Sequence, residues 1–190
     1  MKLGDPRMNQ FLSAIDEIIN HLHNAKQTFK EEGVEGLLAL ILKAHRIFVY
    51  GAGRSGHVGR MFTQRLMHLG LNSYFVGETL TPSMDKDDVL IVISGSGQTT
   101  STLSIVEAAK NHRAKVVCLT AHSQSPIARK SDLLVSVAGK TKLSEFKSYA
   151  PFTTLFDIAC LTYLDSLASE IMARLNLSDD DILRMHATVE

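Results

Sequence analysis

The sequence predicts an α/β protein built on a five-stranded parallel sheet buried on both faces, with helices before it and a long helix after it. Three observations carry this. Five short runs rich in Val, Ile and Leu, among them "DVLIVIS" (88–94) and "AKVVCLT" (114–120), alternate with helical segments, and strands that are apolar throughout are those covered on both sides. Two of the runs end in glycine-rich turns that lead into a helix, "GAGRSGH" after the first and "SGSGQTTST" (94–102) after the third. At 190 residues the chain has the size of one domain with a sizeable core.

The elements follow in order. From Met8 to Phe29, apolar residues such as Phe11, Ile15, Ile19 and Leu22 recur at steps of three and four, the stripe of an amphipathic helix. Gly33 interrupts, and a second helix over roughly 34–44 completes an N-terminal helical segment, 1–45, expected to pack on the main domain or on a neighbouring subunit. The domain proper, 46–190, opens with "RIFVY" (46–50), the first strand. "SGHVGRMFTQRLMHLG" reads as a helix closed by Gly70, and "NSYFV" (72–76) as the second strand. The third strand, 88–94, is followed by the helix "TTSTLSIVEAAKNH". The fourth, 114–120, is followed by a short helix with Pro126 near its first position, and the fifth is "DLLVSV" (132–137). After the polar loop "GKTKLSEFKSY", Pro151 begins a helix to about Leu175 that is apolar nearly all round. Such a helix must be buried, which points to a subunit interface. Ser178 with Asp181 forms a capping box for a last short helix.

Composition narrows the function. Lys plus Arg equals Asp plus Glu, 20 each, so neither nucleic acid nor an anionic membrane is expected as a partner. Cys118 and Cys160 form no disulfide framework and no zinc site, and point to a reducing cytoplasm. The longest apolar stretch, "GLLALILKA" (36–44), is too short to span a bilayer, and "MKLGDPRMNQ" lacks the apolar core of a secretory signal.

In an open α/β sheet, ligands bind beyond the carboxyl ends of the strands where strand order reverses. "SGSGQT" offers hydroxyls of Ser94, Ser96 and Thr99, with Gly95 and Gly97 letting backbone N–H groups turn inward. It feeds a helix N-terminus, where free N–H groups and the dipole favour an anion. The plain alternative is a Ser/Gly turn that merely caps a helix; two hydroxyl-and-glycine loops at successive ligand-facing ends favour a phosphate. The spacing Gly51, Gly53, Gly56 also fits the dinucleotide fingerprint, and Glu78 stands where that fold places its ribose-binding acid. Against a dinucleotide stand Arg54 and Ser55 in the middle of the loop and the single five-strand unit. The acidic "DKDD" (85–88) reads as a solvated turn.

Taken together, "GAGRSG", "RLMHLG" (65–70), "VGETLTP" (76–82), "SGSGQT" and "HATVE" (186–190) resemble the sugar isomerase (SIS) domain, and within it the 6-phospho-3-hexuloisomerase family, from about residue 8 onward. The resemblance implies a flavodoxin-like three-layer α/β/α sandwich, a homotetramer with active sites shared between subunits, and no metal or nucleotide cofactor. It implies conversion of 3-hexulose 6-phosphate into fructose 6-phosphate, after the synthase that condenses formaldehyde with ribulose 5-phosphate. The phosphate would be held by Ser55, Ser94, Ser96 and Thr99, with N–H groups of Gly95 and Gly97. Gly53, Arg54 and Gln98 would complete the substrate site. Moving the carbonyl from C3 to C2 requires a base for the C2 proton, and a carboxylate whose pKa burial raises suits that task. The family's base is a glutamate in an "LFE" context; "TLFDIACL" puts Asp157 at that place, and Gln98 stands where the family usually has glutamate. Glu78 is the alternative carboxylate. His186, reaching a neighbouring subunit's site, or else His68, would shuttle protons between the sugar oxygens; His57 is a lesser candidate. His21, His23, His45, His112 and His122 read as ordinary. A SIS-type sugar-phosphate sensor with little catalysis is the alternative function.

Overall fold

A computed structural model describes residues 6–188. Val189 and Glu190 of the terminal motif, and the Met8 side chain, lie outside the described residues. Two helices, α1 (Pro6–Lys26) and α2 (Glu31–Lys43), precede the sheet. Gly33 does not interrupt α2; it sits within its first turn. The strands are β1 (Ile47–Gly51), β2 (Ser73–Phe75), β3 (Val89–Ile93), β4 (Lys115–Thr120) and β5 (Leu133–Ser136). The connecting helices are α3 (Arg54–His68), α4 (Thr100–Asn111) and α5 (Pro126–Lys130), and α6 (Thr154–Arg174) and α7 (Asp179–Arg184) close the chain. Ser125 caps α5 with Pro126 at its start, the Ser178–Asp181 capping box opens α7, and Gly70 follows α3 with φ +78°.

All pairings are parallel, in the order β2-β1-β3-β4-β5, the doubly wound arrangement whose strand order reverses between β1 and β3. Gly51 pairs with Ile93, so the two glycine-rich loops leave the sheet side by side. Every residue of β3 is buried, because helices cover both faces. One apolar cluster joins one face of the sheet to α2, α3 and α6 and includes Phe62, Leu164 and Cys160. The other lies under α4 and α5 and includes Phe48, Val106 and Cys118. A three-layer α/β/α sandwich is the result.

Two further expectations are corrected. The apolar circumference of α6 is covered within the chain by α3, α1 and α2, so it is no sign of a subunit interface. The unpartnered apolar stripe is on α1, where Phe11, Ile15 and Ile19 are exposed at four-residue steps. The second correction concerns "DKDD". Asp88 is 2 % exposed and takes two hydrogen bonds from Arg46, from Nε at 3.0 Å and Nη2 at 2.9 Å, while Asp85 takes a third at 2.7 Å. A carboxylate is buried here because a guanidinium meets it in bidentate fashion. His45 stands near both acids in a grouping able to hold a metal, but Arg46 already occupies their oxygens.

Candidate active site

The carboxyl ends of β1 and β3 open onto a pocket of about 220 Å³. Gly53, Arg54 and Ser55 line it from the β1–α3 turn, and Ser94, Gly95, Ser96 and Thr99 from the β3–α4 turn. The β5–α6 connection adds Thr141, Lys142, Phe152 and Thr153. Gly53, Thr99 and Thr153 are the N-cap residues of α3, α4 and α6. Three helix N-termini therefore converge on one small cavity, each presenting free N–H groups and the positive end of its dipole. Arg54 and Lys142 add full charges. The volume falls below the roughly 300–1,000 Å³ of sites for drug-sized molecules; it suits a phosphate and the adjoining carbons, not a dinucleotide.

Local chemistry explains the loop shapes. A Cβ added at Gly56 would lie 2.5 Å from the Gly51 carbonyl oxygen, so the two glycines permit the tight passage from strand to helix. The fingerprint spacing records that contact. In the second loop the Gly95 carbonyl accepts from Ala121 N–H at 3.2 Å and from Thr120 Oγ1 at 3.1 Å. Both donors lie behind the loop on β4 and its turn, and peptide planarity then turns the Ser96 N–H the opposite way, toward the pocket. Gly97, at φ +60°, packs against Ser125, and its N–H donates to Ser94 O at 3.0 Å. That amide is spent on the turn, so the expectation that it would hold a phosphate is corrected.

Asp157 lies in the first turn of α6, 3 % exposed. Its Oδ1 accepts from Ser55 Oγ at 3.0 Å; its Oδ2 accepts from Arg54 Nε at 3.1 Å and Thr153 Oγ1 at 2.7 Å. The three donors line the pocket and the carboxylate sits directly behind them. One turn on, burial and then the charge of Asp157 push the Cys160 thiol well above its ordinary pKa, so it is no nucleophile.

Other expected site residues lie elsewhere. Gln98 lines a separate hollow with His122 and Ser125. Glu78, after β2, accepts from Arg60 Nε at 2.9 Å, both exposed, with the Arg60 guanidinium 3.9 Å from the Phe75 ring centroid. His68 and His186 meet, their rings stacked with centroids 4.2 Å apart. They do so at the last residue of α3, roughly 20 Å along the helix from Arg54 by its rise per residue, and so outside this chain's own pocket. Thr141, Lys142 and Thr153 were missed by sequence reasoning, although a signal existed: in a parallel sheet every strand-to-helix loop opens on the same edge. Thr141 shares a 3.0 Å hydrogen bond with His122 Nε2, which ties this loop to the one after β4.

The SIS-domain family pattern matches residues 40–161. The 3-hexulose-6-phosphate isomerase of Methanocaldococcus jannaschii is 38% identical over 94% of this chain and 98% of its own. That of Bacillus subtilis is 35% identical over 93% and 97%. Among solved structures, a Methanococcus jannaschii protein whose structure was used to infer 3-hexulose-6-phosphate isomerase function superposes with a TM-score of 0.83, at 38% identity over 93% of this chain and 98% of that one. With its 2-1-3-4-5 sheet, its paired glycine-serine loops and relatives matched along nearly their whole length, the chain belongs to the SIS-domain family, in the branch of the 3-hexulose-6-phosphate isomerases.

Proposed function

We propose that this protein is a 3-hexulose-6-phosphate isomerase that interconverts that sugar phosphate and fructose 6-phosphate. The observation that carries the reading is the buried Asp157, held by Arg54, Ser55 and Thr153 beside a pocket that three helix N-termini make electropositive. The phosphate sits among Ser94, Ser96, Thr99 and Lys142, which leaves the sugar carbons facing Arg54 and Ser55. Asp157 takes the proton from C2 and a 2,3-enediol forms; a proton returned to C3 leaves the carbonyl on C2. Among the described residues Oδ1 accepts one hydrogen bond and Oδ2 two, so Oδ1 keeps the lone pair for that proton. Arg54 is the movable cover: its side chain is 63% exposed and tied to Asp157 through Nε alone.

The stacked His68 and His186 serve as proton shuttle for a neighbouring copy's pocket, with the unpartnered stripe on α1 supporting assembly into a homotetramer. Glu78 contributes from such a neighbour or not at all. No metal or nucleotide takes part in this scheme. An isomerase of that substrate would act beside 3-hexulose-6-phosphate synthase, in formaldehyde fixation through the ribulose monophosphate pathway. Among the described residues no helix is long and apolar enough to cross a membrane, and two free buried cysteines favour a cytoplasmic setting.

A second reading rests on the same carboxylate. Because Asp157 lies behind its donors and does not itself line the pocket, it would serve to organise Arg54 and Ser55 in a protein that binds sugar phosphate without turnover. A coupled assay separates the two: formaldehyde and ribulose 5-phosphate are fed through the synthase, and fructose 6-phosphate is followed. Turnover by the wild type that falls about a hundredfold in Asp157→Asn, as for a lost general base, supports the isomerase and its base. Full turnover in the variant moves the base elsewhere. Absence of wild-type turnover, with fructose 6-phosphate still raising Tm, supports the binding protein.

A further inference from the structure

Residues 137–153, between β5 and α6, form the longest stretch without helix or strand among the described residues. Loops beyond about 12–15 residues inside a compact domain are uncommon and usually functional. This one supplies Thr141, Lys142, Phe152 and Thr153 to the pocket. Phe152 adopts φ +43°, a left-handed conformation rare for a bulky side chain, and such strain persists only where the surroundings impose it.

Two residues before Phe152, the chain is held by α1. Glu17 Oε2 accepts from the backbone N–H of Tyr149 at 2.7 Å and of Ala150 at 2.9 Å, across 133 residues of sequence in the second case. Ser148 Oγ donates to the Ala150 carbonyl at 2.9 Å, so both peptide groups of Ala150 are fixed. Two residues on stands the strained Phe152, and then Thr153, whose hydroxyl donates to Asp157 Oδ2. Burial alone would raise the Glu17 pKa, but the N–H groups of Ala150 and Tyr149, the neighbouring Ser148 hydroxyl and the Lys140 charge outweigh it and leave the carboxyl below its usual range. The acceptor is thus the ionised form, which makes the stronger bonds.

We propose that Glu17 is a positioning residue for the isomerisation: it latches the 148–150 segment and thereby holds Phe152 and Thr153 in the geometry that orients Asp157. This rests on the isomerase reading. It also gives α1, which lies outside the matched 40–161 segment, a part in the reaction. The serine loop is built on β3, β4 and their turns and does not depend on the latch. Loss of the latch therefore lowers kcat and spares phosphate affinity.

The test uses the full chain in the coupled assay, with Glu17→Leu, Glu17→Asp and Glu17→Gln. A misplacement near 1 Å can cost about 100-fold in rate, and Glu17→Leu is expected to lose at least about tenfold in kcat by that mechanism. KM and the inhibition constant of inorganic phosphate stay within about twofold, since Ser94, Ser96 and Thr99 are untouched and Lys142 follows Thr141, which His122 holds independently of the latch. Glu17→Gln, which keeps an acceptor at the same reach, restores most of the rate. Glu17→Asp, one methylene short, is intermediate and carries the test if the leucine variant does not fold. Amide exchange at Tyr149 and Ala150 quickens in step with the loss of kcat. Wild-type kcat in a folded Glu17→Leu, a rise in KM with kcat unchanged, or no recovery in Glu17→Gln overturns the latch alone. No turnover by the wild type overturns the isomerase reading and the latch with it.

Discussion

Lys142 brings the pocket a charge that no ion pair among the described residues shares, whereas Arg54 divides its own with Asp157. Lys142→Met should therefore act on binding. Hydrogen bonds to charged groups contribute about 1.5–3 kcal/mol, and a rise in KM of about tenfold corresponds to about 1.4 kcal/mol. The inhibition constant of inorganic phosphate should rise in parallel, with kcat within about twofold of wild type. A fall in kcat at constant KM would place Lys142 at the sugar carbons instead. At this scale the sequence was legible where the residue type is itself the chemistry. Ser94, Ser96 and Thr99 could be picked out because hydroxyls beside glycines at a strand's carboxyl end have few other uses. Gln98 sits in the same motif yet faces another hollow, because the turn at Gly97 rotates the chain away from the pocket. No spacing rule carries that rotation.

Asp132 ties three elements together just before β5. Its Oδ2 accepts from Val116 N–H of β4 at 2.8 Å and from Lys110 Nζ of α4 at 2.9 Å, and Lys115 lies 3.7 Å from Oδ1. Burial pushes its pKa up, but those hydrogen bonds and charges outweigh it and the net shift is downward. A folded-state pKa below the unfolded one, near 3.9 as roughly the model-peptide value, gives stability that is present above that pH and lost as pH falls through the folded-state pKa. Asp132→Asn should thus unfold at lower urea than wild type at pH 7, and the gap should close below about pH 4. A gap independent of pH would show that the carboxylate's charge has no share. Elements themselves were readable because strand and helix differ in period and because Ser125–Pro126, Ser178–Asp181 and Gly70 mark helix ends. The covering of α6 was not readable. Which helix lies on which face is decided by crossovers and long-range packing, and α2 and α6 meet in space with more than a hundred residues between them.

At the scale of the whole molecule, the three helix N-termini belong to elements that leave one edge of the sheet, while the stacked histidines lie at the other end of α3. Assembly of copies is what would bring those two regions together. The latch on α1 joins the same logic, since the helix that leaves Phe11, Ile15 and Ile19 exposed also holds the pocket's long connection through Glu17. The chain's charges balance at 20 against 20, so attraction of a sugar phosphate comes from local donors rather than from a long-range field. The two cysteines have a further consequence. Cys118 is packed beneath α4 and α5, and Cys160, on α6, lies in the cluster that α6 forms with α2, α3 and the opposite face of the sheet; burial pushes the first thiol up to about 12 and the second well above its ordinary value. Neither reacts until its own layer lifts from the sheet. The protein therefore carries two natural clocks for its opening, one on each side. Labelling with a thiol reagent under native conditions, followed at each site by mass spectrometry, should give one shared rate if the sandwich comes apart as a unit. A faster rate at Cys118 would show that the α4–α5 layer detaches on its own while the layer that carries Asp157 stays closed.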